Sequence, residues 1–99
     1  MAYKYILLAK AQEEYESSIS WYNERSWLAA DQFIEAIDNV LQLICDHPNR
    51  WSNEYKKYYE LGVKKYPYSI VYTIDSELEL IIISSVYHHS RNPKKKYKK

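Results

Sequence analysis

The chain is predicted to form an α+β domain of order β-α-α-β-β-β, with a helical hairpin packed on one face of a small, mainly antiparallel sheet. Three observations predict it. The first half carries two stretches with apolar residues at helical spacing, joined by a short polar break. The second half carries three runs rich in β-branched and aromatic residues, separated by turn-like segments. A short run of Tyr, Ile and Leu opens the chain, and it suits a first strand.

That strand is expected over Ala2 to Leu8. From Ala11 the period changes. Ala11, Tyr15, Ile19 and Tyr22 recur at helical spacing, while Gln12, Glu13, Glu16 and Ser20 face away. Glu13 and Glu14 near the start suit the positive end of a helix dipole. Asn23-Glu24-Arg25-Ser26 breaks the pattern, and the Ser26 hydroxyl can cap the next helix. There Ala30, Phe33, Ile34, Ile37, Val40, Leu41 and Ile44 form one wide apolar stripe. Pro48 disfavours helical geometry at His47 and so ends it. The two helices cannot bury their stripes on each other alone, so a sheet must complete the core.

Asn49 to Glu54 reads as a polar loop. Tyr59, Leu61 and Val63 then alternate with Tyr58, Glu60, Gly62 and Lys64, as in a half-exposed strand. Pro67 stands at the start of Ser69 to Ile74, where no ladder donor is lost. Asp75-Ser76-Glu77 is a turn. Leu78 to Tyr87 contains Leu80-Ile81-Ile82-Ile83, apolar on both faces, which marks a central strand.

The 99 residues are one domain's worth of chain, with a basic tail from about residue 90 to residue 99. Cys45 is the only cysteine, which excludes an internal disulfide and a thiolate zinc site, and its apolar helical position suits a buried thiol. His47, His88 and His89 lack the spacing of a closed metal site. One glycine excludes a phosphate loop, and no cofactor is expected. No run approaches the ~20 apolar residues of a membrane span. The expected protein is cytoplasmic, with no membrane partner. Twelve Tyr and three Trp admit two readings, core-edge packing or a stacking surface for bases, and burial habits favour the first for any single Tyr.

Charge is divided unevenly. Residues 1–50 hold four Lys/Arg against eight Asp/Glu, and residues 51–99 hold ten against five. Lys64 and Lys65, with Lys94, Lys95 and Lys96 in the tail, can contact phosphates or an acidic protein segment; a solvated tail is the other reading. The last strand runs out into Tyr87-His88-His89-Ser90-Arg91, followed by lysines and Tyr97. Arg and Lys hold a phosphodiester and stabilise charge in its transition state, and His moves a proton near neutral pH. Tyr97 could act so only with a perturbed pKa. Each also has a local reading: a His capping a strand end against Tyr87, or Arg91 paired with a surface carboxylate. In extended backbone His88 and His89 face opposite sides, so at most one can serve a given site.

Trp21-Tyr22, the apolar second helix ending near Pro48, Tyr66-Pro67-Tyr68-Ser69-Ile70-Val71-Tyr72 and Val86-Tyr87-His88-His89-Ser90-Arg91-Asn92-Pro93 stand in a telling order. With them the chain resembles the RelE/ParE toxin superfamily, nearest its ParE-like, plasmid-stabilisation branch, over nearly its whole length. Tyr66 stands where that branch usually has Phe. The resemblance implies the toxin of a type II toxin–antitoxin system, inhibiting growth until a cognate antitoxin wraps it with an acidic C-terminal segment. ParE-like members inhibit DNA gyrase. RelE-like members cut messenger RNA on the ribosome, with basic residues on the sheet, an Arg near the last strand's end and a C-terminal Tyr or His. Under the second activity His88, His89, Arg91 and Tyr97 are the candidate catalytic residues, with Lys64 and Lys65 on phosphate. RelE-like enzymes often place an Arg inside the third strand, where this chain has Ser69. That departure favours a toxin that binds a protein target such as gyrase over a nuclease. A toxin fold reduced to antitoxin binding is a further reading.

Overall fold

A computed structural model describes residues 2–91. Strand β1 (Lys4–Leu7) leads into α1 (Ala9–Asn23) and α2 (Trp27–Asp46), followed by β2 (Ser52–Tyr55), β3 (Tyr58–Gly62), β4 (Tyr68–Asp75) and β5 (Leu80–His88). The sheet order is β1-β5-β4-β3-β2. β1 runs parallel to β5, and all other pairs are antiparallel. The predicted order and fold class stand, with β2 added to them.

The two helices meet the sheet through one main core. Ala11 of α1 and Phe33, Ile37, Val40, Leu41, Ile44 and Cys45 of α2 pack with Tyr68, Ile70 and Tyr72 of β4 and Ile81, Ile83 and Val86 of β5. Helix α2 shows why its sequence was readable. Ser26 Oγ accepts from Leu28 N and Ala29 N at 3.1 and 3.3 Å, so the cap satisfies two otherwise orphaned donors. The apolar stripe is buried as predicted, except that Ile34 is only half-buried. Cys45 is a buried free thiol.

Three expectations are corrected. The loop expected over Asn49 to Glu54 runs into β2, which pairs with β3 through Ser52↔Glu60 and Tyr55↔Tyr58, with Lys56 at φ 50° in the tight turn. As a sheet edge it is held by backbone hydrogen bonds on one side, so it needs no apolar alternation. Tyr58, expected on the half-exposed face, is buried with Val71 and Tyr87 in a second apolar cluster. Helix α1 begins at Ala9, so Glu14 stands beyond its first turn, and its carboxylate serves the last strand rather than the helix dipole.

β5 is nine residues long and β1 only four. Their pairing ends at Leu7↔Ile83, and Leu8 N closes it by donating to Ile83 O at 2.9 Å. Between β4 and β5 the register jumps, from Tyr72↔Ile83 to Val71↔Ser85, so Ser84 is the extra residue of a bulge. The bulge lets both Ile83 and Val86 join the core. It also brings the Ser85 hydroxyl and the Val86 amide to α1.

Candidate functional site at the end of the last strand

The end of β5, the start of β4 and the middle of α1 converge on one corner. Its centre is Glu14, 7% exposed. Oε1 accepts from Ser85 Oγ at 2.8 Å and from Val86 N at 3.0 Å. Oε2 accepts from Arg91 Nη1 at 3.1 Å. A buried carboxylate is costly unless several donors surround it, and here three do. Since β1 no longer flanks β5 past Ile83, the Glu14 side chain supplies the acceptor that a neighbouring strand would have given Val86. Ser18, one turn along α1, donates its hydroxyl back to Glu14 O at 2.8 Å.

Arg91 is held at its backbone too. Its carbonyl accepts from Tyr87 Oη at 2.6 Å, and its amide donates to His88 O at 3.0 Å, closing a turn after the strand. Inside that turn His88 Nδ1 accepts from Ser90 N at 3.0 Å. A backbone amide can only donate, so Nδ1 is the bare nitrogen and a neutral ring carries its proton on Nε2. The Ser90 hydroxyl, 2.7 Å away, therefore donates to the same nitrogen. Burial, then the Arg91 charge, then His89 hold the His88 pKa below its ordinary value. The ring stands edge-on to Tyr68, with centroids 4.9 Å apart.

His89 points elsewhere. Its Nε2 lies 2.9 Å from Ser69 Oγ, its amide donates to Pro67 O at 2.9 Å, and its ring leans towards Tyr87. The two histidines thus join different clusters: His88 meets Tyr68 of the main core, and His89 meets Ser69 and Tyr87 on the side of the second cluster. The alternation expected of neighbours in extended chain accounts for it.

Lys64 and Lys65 lie exposed in the β3–β4 turn, Lys65 with φ 71°, and neither has a hydrogen-bond or ion-pair partner among the described residues. The turn is closed by Val63 N donating to Tyr68 O at 2.8 Å. Through Pro67 it abuts the end of β5, so the two lysines share that end of the molecule. Tyr97, Lys94, Lys95 and Lys96 lie outside the described residues.

A hollow of about 310 Å³ opens beside His88, lined among others by Ser18, Trp21, Tyr22, Pro67 and Tyr68. Trp21 is 49% exposed. Arg25 lies over it with its guanidinium carbon 3.4 Å from the ring centroid, and donates to Trp21 O at 2.7 Å. The latter bond satisfies an α1 carbonyl near the helix end. A larger hollow of about 760 Å³ lies between β1 and α2, with neither His88 nor His89 in its lining. Among the described residues no three His, Cys, Asp or Glu side chains group as a metal site. No described helix is long and apolar enough to cross a membrane.

The family model of the ParE toxin of the type II toxin–antitoxin system parDE matches residues 5–93. The chain belongs to the ParE toxin family. The match spans every element from β1 to the basic turn after β5. Among solved structures, the chromosomal ParDE TA system from P. aeruginosa is similar, with TM-score 0.73 and 13% identity over 88% of this chain and 96% of that one. The isolated E. coli RelE toxin is similar with TM-score 0.58 and 14% identity, over 94% of this chain and 90% of that one. At these identities the likeness is one of fold. No curated protein is matched.

For a ParE-family chain the corner is informative in what it withholds. Of the residues singled out from the sequence, His88 and Arg91 share the turn, His89 diverges from them, and Lys64 and Lys65 stand at the rim. Glu14 is not among the site residues the sequence points to, although it carries a signal. It lies at i+3 from Ala11 and four before Ser18, so an acid occupies the packed face of an otherwise apolar or small-residue stripe.

Proposed function

We propose that the chain is a growth-inhibiting toxin, held inactive in the cytoplasm by a cognate antitoxin, and that it acts by binding a protein target, DNA gyrase, without cutting RNA. One observation carries the second half of this reading. The Arg91 guanidinium is already paired with the buried Glu14 carboxylate, and the two histidines turn away from each other. A ribonuclease needs a cation free to take up charge on phosphorus and a proton-transfer group beside it. In this corner the cation is partly neutralised, and His88 Nδ1 is occupied. At the point in β4 where RelE-like enzymes often carry an Arg, Ser69 bonds to His89.

The antitoxin reading is supported by family membership and by the P. aeruginosa relative, which is itself a toxin–antitoxin system. An acidic segment would be drawn to Lys64, Lys65 and the basic residues after them. Stabilisation of a plasmid would follow if the pair is carried on one.

The test is induction of the protein in a bacterial host, with primer-extension mapping of messenger RNA and plasmid supercoiling read from one culture. Growth arrest with intact messages and altered supercoiling is expected. Arrest with codon-phased cuts would establish the RelE-type ribonuclease instead. No arrest, with antitoxin binding retained, would leave a binding module.

A further inference from the structure

Glu14 does two separable things. Its Oε1 ties α1 to the bulged end of β5, through Ser85 Oγ and Val86 N. Its Oε2 faces outwards and takes one N–H of Arg91. Arg91 is 46% exposed in its side chain, and a guanidinium carries five N–H donors in a fixed plane. One N–H is therefore spent on Glu14, and among the described residues the half-exposed guanidinium has no other hydrogen-bond partner, in an orientation that Glu14 sets. The backbone of Arg91 is fixed independently, by Tyr87 Oη on its carbonyl and His88 O on its amide. A long, rotamer-rich side chain held at both ends loses little further entropy when a partner binds.

We propose that Glu14 is a positioning residue for the toxin's target contact: it holds Arg91 so that the guanidinium's free edge meets the target at the end of β5. This rests on the reading of the chain as a growth-inhibiting toxin and names the arrangement that makes this corner competent. Glu14 touches no target itself. It acts through Arg91.

Glu14→Gln separates the two tasks. The amide oxygen can still accept from Ser85 and Val86, which keeps the tie between α1 and β5. The amide nitrogen then faces Arg91, donor against donor, and lets it go. Two readouts are needed on the full chain. The first is side-chain nitrogen NMR of Arg91, where pairing slows rotation of the guanidinium about its Nε–Cζ bond. The second is growth arrest at matched expression, in wild type, Glu14→Gln, Arg91→Gln and the double variant.

The expected result is a folded Glu14→Gln protein with a freely rotating Arg91 and growth arrest weakened at least ~10-fold, as lost preorganisation predicts. The double variant should be no weaker than Arg91→Gln alone, because Glu14 acts only through Arg91. Unchanged Arg91 rotation, unchanged arrest, or a Glu14→Gln loss that persists without Arg91 would each overturn the proposal. If Glu14→Gln does not fold, the wild-type chain is read with Arg91→Lys, which keeps the charge but not the planar fork: slowed guanidinium rotation in the first and weakened arrest in the second are expected, and free rotation or full arrest would overturn the proposal. If the wild-type chain arrests nothing, the toxin reading fails, and with it the target contact, while the NMR arm still reports whether Glu14 holds Arg91.

Discussion

Arg91 Nη1 lies 3.1 Å from Glu14 Oε2, across 77 positions of the chain. That contact joins the first helix to the turn that ends the last strand. Around it the fold's local and long-range features meet: the short β1, the bulge at Ser84 and the turn that ends at Arg91.

The first prediction concerns stability. Glu14→Ala removes the acceptor of Val86 N and Ser85 Oγ and leaves both donors buried. A loss of about 2–4 kcal/mol is expected, since unsatisfied buried donors cost more than a hydrogen bond is worth. Arg91→Ala should cost less, about 1 kcal/mol, because Arg91 is half in solvent and Glu14 keeps its other two donors. Denaturant unfolding of both variants checks the order; equal losses would contradict it.

A second prediction isolates the cap of α2. Ser26→Ala should cost about 1 kcal/mol, because its hydroxyl alone serves Leu28 N and Ala29 N. Ser26→Asp should be close to neutral. The comparison is a pair of urea midpoints.

Alkali should unfold this protein early. Burial, then Asp38, then Tyr5 push the Tyr15 phenol up to about 12. Burial and then Tyr59 also raise the phenol of Tyr72, whose hydroxyl donates to Pro48 O at 2.7 Å. Unfolded tyrosine ionises near ~10. The fold therefore binds these protons more tightly than the unfolded chain does. Their contribution is complete below pH ~10 and is lost as pH rises from there through the folded values. Stability measured from pH 8 to 12 should fall above ~10, and less steeply in Tyr15→Phe. A flat profile would contradict the burial of these rings.

His88 should behave in the opposite sense. Its folded pKa is lowered, chiefly by burial and then by Arg91 and His89, so its contribution is complete above pH ~6.5 and is lost as pH falls through the folded value. Nitrogen NMR should show the proton of the neutral ring on Nε2. A proton on Nδ1 would exclude the bond accepted from Ser90 N.

Much of the fold was legible in the sequence because local chemistry and tertiary packing agree there. Ser26 caps a helix whose apolar stripe is long enough to be unmistakable. Ile81 and Ile83 enter the main core while Ile82 is half-buried on the other face of a strand whose two edges are paired with β1 and β4. Disagreement begins where backbone or distant partners decide. β2 is polar and short, and only its pairing with β3 makes it a strand. Tyr58 looked solvent-facing until Val71 and Tyr87 covered it. At the corner, His88, His89 and Arg91 were visible as a cluster in sequence, and their expected divergence follows from strand geometry. Glu14 was not visible as their partner, since nothing local tells an acid on a packed helix face which far strand it will serve.

As proposed above, this ParE-family chain acts on a protein target and cuts no RNA. It is tested most directly with purified protein in two parallel reactions: gyrase supercoiling relaxed plasmid, and ribosomes stalled on a defined message. Dose-dependent inhibition of supercoiling and an intact message at the same concentrations are expected. A message cut in the ribosomal A site, with supercoiling untouched, would contradict it.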